Sequence, residues 1–127
     1  SGIIHLTGPT MRLIEEGNVK KGNVLATARV AAIQAAKHTW ETIPLCHQIP
    51  VTGIDVEFEV GEKTIKVIAE VRSVGKTGVE MEALCAASTA LLAIWDMVKA
   101  VEKDETGNYP ETMITDIVVE EKIKAKR

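Results

Sequence analysis

The spacing of apolar positions changes along this chain, and each change marks an element. Gly2–Thr7 is short and apolar, which predicts a strand. Thr7 and Gly8 precede Pro9, a helix-start signal, because proline suits the first turn, where N–H groups lack partners anyway. A short helix to Glu16 follows and stops at Gly17. Asn18–Gly22 is a polar loop containing Lys20 and Lys21. Asn23 then caps a second helix to about Thr39, rich in Ala26, Ala28, Ala31, Ala32, Ala35 and Ala36, so that it can approach a neighbour closely. Trp40–Pro50, broken by Pro44 and Pro50, reads as irregular. Beyond it the period becomes two. Ile54, Val56, Phe58 and Val60 alternate with Asp55, Glu57 and Glu59, and after a turn at Gly61–Lys63, Ile65, Val67, Ala69 and Val71 alternate with Thr64, Lys66, Ile68, Glu70 and Arg72. This predicts a hairpin with one buried face.

The period then returns to three and four. From Thr77 to about Glu102, a stripe of Met81, Leu84, Ser88, Leu91, Leu92, Trp95, Val98 and Val101 predicts a long buried helix. A loop with Gly107 and Pro110 leads to a final strand from Met113 to about Glu121. The order strand, helices, strand, strand, helix, strand predicts a ferredoxin-like α+β sandwich, an antiparallel sheet covered on one face by helices. With 127 residues and no internal repeat or linker, a single domain over 1–127 is expected.

Composition narrows the function classes. Aromatic residues are only 3% of the chain, which leaves few stacking platforms for single-stranded nucleic acid. The net charge of −3 comes from mixed acidic and basic positions, with no basic face for duplexes, so no nucleic-acid partner is expected. A local basic pocket for a small anion stays open. Cys46 and Cys85 lack metal-ligand spacing apart from the adjacent His47, so no metal site and no cofactor is expected, and a reducing, cytoplasmic setting is the default. No signal peptide is evident and no apolar run is expected to span a bilayer. The abrupt strand-like start at Ser1 suggests that residues precede it.

Four constellations can carry chemistry. Asp96 and Lys99, three apart on a helix among Leu92, Trp95 and Val98, are surface neighbours. They are either an ordinary ion pair or a partly desolvated acid–base pair. Gly75-Lys76-Thr77 resembles the end of a P-loop, but the first glycine of that motif falls on Glu70, so what remains is an anion-friendly helix start. Thr77 and Glu80 have capping-box spacing, which competes with ligand contact as the role of Glu80, and Glu82 could simply suit the positive end of the helix. His47, after Cys46 in a proline-flanked segment, is either a surface histidine or a proton donor near neutral pH. Lys20 and Lys21 are a solvated pair or, held against a cation or an apolar wall, a source of a base. Glu82 and Asp96 lie fourteen residues apart, about 21 Å along one helix. A small substrate reaches both only if it is long or if a second subunit completes the site.

Taken together, four segments resemble one family. They are Lys21-Gly22-Asn23-Val24 with Ala26, Arg29 and Ile33–Lys37; Ile43-Pro44-Leu45-Cys46-His47; Gly75–Leu84; and Asp96–Val101 with Lys103 and Asp104. Over nearly the whole chain they are similar to the molybdenum cofactor biosynthesis protein C family, the cyclic pyranopterin monophosphate synthases. The resemblance implies a lyase that converts a cyclised dihydro-GTP, made by a partner radical SAM enzyme, to cyclic pyranopterin monophosphate and pyrophosphate. It implies that Asp96, Lys21 and Lys99 are catalytic and that Leu45, Cys46, His47, Glu80, Met81 and Glu82 bind substrate. It further implies a cytoplasmic homohexamer built from dimers with sites at the dimer interface, and an N-terminal extension absent here. The rival classes are a regulatory module that binds a metabolite and a purely structural subunit; neither needs Asp96, Lys99 and Lys21 as an acid–base set.

Overall fold

The computed structural model describes residues 1–75 and 77–123. Its elements run β1 (Gly2–His5), α1 (Gly8–Glu16), α2 (Val24–Lys37), α3 (Thr39–Thr42), β2 (Val51–Val60), β3 (Thr64–Ser73), α4 (Glu80–Glu102) and β4 (Met113–Thr115). The sheet order is β2-β3-β1-β4, with every neighbouring pair antiparallel. Helix α2 lies over β2, α4 lies over β3 and β1, and the two helices pack on each other. This is the ferredoxin-like α+β sandwich that the element order predicts.

Local chemistry sets the boundaries. Thr7 caps α1 by accepting from the Thr10 N–H at 3.5 Å, and Gly17 ends the helix in the left-handed region at φ 70°. An L side chain would be strained there, which is why glycine follows Glu16. Asn23 Oδ1 accepts from the Ala26 N–H at 2.9 Å and starts α2. In the β2–β3 turn the Gly61 N–H donates to the Thr64 carbonyl at 2.8 Å.

The core forms where Ile4, Val56, Ile65, Val67 and Val71 of the sheet meet the helices. Ala28, Ala32 and Ala36 of α2 and Ala86, Ala87 and Ala90 of α4 are buried, so small residues line both helices where they pack closely. Gly2 also serves close approach: a Cβ there would stand 2.7 Å from Leu91 Cδ1.

Several expectations need correction. Of the stripe expected to be buried on α4, Leu91 and Val98 are buried but Met81, Leu92 and Val101 are exposed, and the buried face instead takes in Ala86, Ala87, Ala90, Ile94 and Met97. The helix is apolar nearly all round, so periodicity alone could not choose its face. Its most apolar window has a mean hydropathy of 1.5, so by length and composition α4 is a candidate span, contrary to the expectation that no apolar run is long enough. Here it is the core helix of the sandwich. It starts at Glu80 rather than Thr77, with Val79 at its cap and no side-chain cap bond, so the Thr77–Glu80 capping box does not form and Gly75–Thr77 is not a helix start. Lys76 of that motif lies outside the described residues. Helix α2 ends at Lys37, and Thr39–Thr42, taken in part as irregular, forms one helical turn. Strand β4 stops at Thr115 because Asp116 turns left-handed at φ 57°; further on, Val118 exchanges two bonds with Ser1, at 2.9 and 3.0 Å.

Candidate functional site

The loop before α2 and the last turns of α4 bring the first cluster together. Lys21 Nζ donates to Asp96 Oδ2 at 3.0 Å and to the Asp96 carbonyl at 3.3 Å. Lys99 Nζ stands 2.9 Å from Asp96 Oδ1. Two lysines far apart in sequence thus grip the two oxygens of one carboxylate. Lys21 arrives because Asn23 caps α2 just after it and α2 packs along α4; Lys99 arrives by its i, i+3 spacing from Asp96.

The electrostatics follow from this geometry. The Lys99 and Lys21 ammonium groups hold the Asp96 carboxyl below its usual range, and Asp96 raises Lys99 in turn. The side chains of Asp96 and Lys99 are 57% and 48% exposed, so within one chain the pair is the solvated ion pair of the two readings and not the partly desolvated one. The neighbours instead line a hollow of about 320 Å³ beside it, formed by Leu92, Trp95, Asp96, Lys99 and Tyr109. Trp95 and Tyr109 meet edge to face there, with ring centroids 5.1 Å apart. Tyr109 was not among the candidates drawn from the sequence; its place in the Gly107–Pro110 loop, soon after the Asp96 segment, was the available signal.

A second cluster forms at the other end of α4. Cys46 Sγ donates to Glu82 Oε2 at 3.8 Å. Partial burial, then the negative charge of Glu82, pushes the Cys46 thiol up. Glu82 is only 3% exposed, and its Oε1 has no hydrogen bond among the described residues. This burial is the feature the sequence concealed: a first-turn glutamate reads as a dipole partner, yet Glu82 points inward. Glu80 pairs with Lys122 at 3.3 Å, which brings the chain after β4 to this end; the sequence did not single out Lys122. Leu45 and His47 are exposed beside Cys46, Leu45 almost fully, and Met81 is 37% exposed.

The site residues therefore fall into two groups. Lys21, Asp96 and Lys99 converge, and Cys46 and Glu82 converge with Leu45, His47, Glu80 and Met81 adjacent in sequence. The groups are about 21 Å apart along α4 within one chain. Among the described residues, no group of three or more His, Cys, Asp or Glu is placed to hold a metal ion.

Fold and clusters define a ferredoxin-like α+β domain with ionised groups at both ends of its core helix. The model of the MoaC family matches residues 1–125. The chain is 62% identical over 126 residues to a protein of Methanosarcina mazei, covering 99% of this chain and 80% of that one. It is 60% identical over 126 residues to one of Pyrococcus furiosus, covering 99% and 81%. It is 58% identical over 125 residues to one of Thermococcus kodakarensis, covering 98% and 80%. All three relatives are named probable cyclic pyranopterin monophosphate synthase. The chain belongs to the MoaC family.

Proposed function

We propose that this chain is a lyase of molybdenum cofactor biosynthesis, a single domain that converts the cyclised dihydro-GTP intermediate to cyclic pyranopterin monophosphate and pyrophosphate. Family membership and relatives of about 60% identity carrying that name support the activity. The observation that carries the assignment of residues is the grip of Lys21 and Lys99 on the two oxygens of Asp96.

The overall change fixes what the site must do. An O–P bond closes a cyclic phosphate at the α-phosphorus, the bond to the β-phosphate breaks, and pyrophosphate leaves with its charge. Ring rearrangement moves several protons besides. Lys99, kept as an ammonium by Asp96, suits the acid and phosphate-stabilising side of this chemistry. Asp96, kept ionised by both lysines, orients them and is a weak base. Lys21 supplies the second ammonium. Glu82 with its open Oε1, Cys46 and the exposed His47 offer acceptors and donors for a polar heterocycle, with Leu45, Met81 and Glu80 beside them.

One chain holds these halves too far apart for one small nucleotide, which supports a site completed by a second copy. An isologous pairing would set the Glu82 end of one subunit against the Asp96 end of its mate. Exposed Leu92 and Val101 on α4, and Val30 on α2, offer apolar surface for such assembly into dimers and a homohexamer. A cytoplasmic setting, where the partner radical SAM enzyme supplies the substrate, fits this role. The test is incubation with GTP, S-adenosylmethionine, the radical SAM enzyme and reductant, with mass detection of the product. A pterin with a cyclic monophosphate, formed only when this chain is present, is the result expected; accumulation of the uncyclised-phosphate intermediate regardless of this chain would overturn the assignment.

A further inference from the structure

Only four large rings occur in the chain, Trp40, Phe58, Trp95 and Tyr109, and two of them meet beside the Asp96–Lys99 pair. Tyr109 stands against Trp95 with ring planes at 66°, a favoured arrangement for paired rings. Both rings line the hollow into which Lys99 opens.

Tyr109 sits on the connection between α4 and β4, and that connection is fixed at both ends. At the near end Asp104 Oδ1 accepts from the Thr106 N–H at 2.9 Å, the Thr106 hydroxyl at 2.6 Å and the Asn108 N–H at 3.0 Å. The Asp104 N–H donates back to the Asn108 carbonyl at 2.8 Å. At the far end the buried Thr112 hydroxyl donates to Glu102 Oε1 at 2.7 Å. Five hydrogen bonds, three of them to backbone groups, thus tie down the segments on either side of one aromatic residue, and Trp95 packs against its ring.

The cluster needs such support. A lysine stem is long and flexible, and an exposed ion pair holds it weakly. The geometry points to Tyr109 as a positioning residue: braced by Trp95, its ring walls the hollow and confines the Lys99 stem to conformations that keep the ammonium on Asp96. This inference rests on the Lys21–Asp96–Lys99 cluster being the reacting centre. It assigns the ring, rather than the hydroxyl, as the working part.

The test compares Tyr109→Ala and Tyr109→Phe by two readouts: kcat and KM on the cyclised intermediate, and the NMR order parameter of the Lys99 Cε, with Lys63 as a remote reference. Tyr109→Ala is expected to lower kcat about tenfold with KM changed less than about twofold, the signature of lost positioning at the reacting centre. It is expected to lower the Lys99 order parameter and leave Lys63 unchanged. Tyr109→Phe is expected to keep both near the unsubstituted values. If Tyr109→Ala lowers the unfolding midpoint, Tyr109→Leu replaces it in the same comparison. An unchanged Lys99 order parameter in Tyr109→Ala overturns the inference, as does an unchanged kcat. Equal losses in Tyr109→Phe assign the effect to the hydroxyl and overturn it too. If the unsubstituted protein makes no product, the functional reading fails by itself, and the Lys99 order parameter still decides the positioning role.

Discussion

Glu102, in the last turn of α4, is expected to be the most acid-sensitive element of the fold. It is 5% exposed, yet its carboxylate is fully used. Oε2 accepts from the Thr7 N–H at 3.1 Å, the Thr7 hydroxyl at 2.7 Å and the Thr10 hydroxyl; Oε1 accepts from Thr112 at 2.7 Å. Burial pushes this carboxyl up, but the hydroxyl and amide donors outweigh it and bring it below its ordinary value of 4.5. In Glu102→Gln the amide oxygen can keep the Oε2 partners, and Thr112 can turn its hydroxyl to accept from the amide nitrogen. Four charge-assisted bonds become neutral, at about 1 kcal/mol each, and removal of a buried charge offsets about half of that, for a net loss of about 2 kcal/mol. The sign of the pH effect follows from the lowered carboxyl. Its stabilisation is complete above about pH 4.5 and disappears as pH falls through the folded-state value. The assay is urea denaturation of both proteins at one fixed concentration between pH 7 and pH 3. The gap between them should be about 2 kcal/mol at pH 7 and close in acid. A gap below about 0.5 kcal/mol at pH 7, or one constant down to pH 3, would refute the reasoning.

Two further outcomes follow from burial. Asp96→Asn, at an exposed ion pair, should abolish turnover while leaving the unfolding midpoint unchanged; a folded variant with near-normal turnover, followed by product mass, would remove Asp96 from the site. Leu91→Ala, at a fully buried position on the inner face of α4, should cost about 2–5 kcal/mol, whereas Leu92→Ala, 58% exposed, should cost the isolated fold less than about 0.5 kcal/mol in the same denaturation assay.

Most of the fold was legible because its signals are local. The Thr7–Pro9 start, the Gly17 stop, the Asn23 cap and the period-two hairpin each specify their own element. What stayed hidden depended on packing. The face of α4 was ambiguous because the helix is apolar on most sides, and packing in the core buried Ala86, Ala87 and Ala90 with Leu91 and Met97 while leaving Met81 and Leu92 outside. The end of β4 turned on one left-handed residue, Asp116, that no apolar pattern reveals. Of the candidate site, the residue types were visible in the sequence, but their convergence was not. Nothing in the spacing of Lys21 and Asp96 forecasts a 3.0 Å contact, and the resemblance alone put them together. Of the two readings open for Asp96 and Lys99, the structure selects the solvated ion pair, because their apolar neighbours face a hollow and the surface rather than the core of this chain.

The central claim is that two copies complete one site, with the Cys46–Glu82 end from one and the Lys21–Asp96–Lys99 end from the other. Subunits carrying Asp96→Asn and subunits carrying His47→Ala should each be inactive with the cyclised intermediate. Unfolded together, refolded and separated by distinct affinity tags, mixed oligomers should regain part of the activity, because an isologous pair of the two variants holds one fully intact site. Verified mixed oligomers with no activity above either parent would contradict the account.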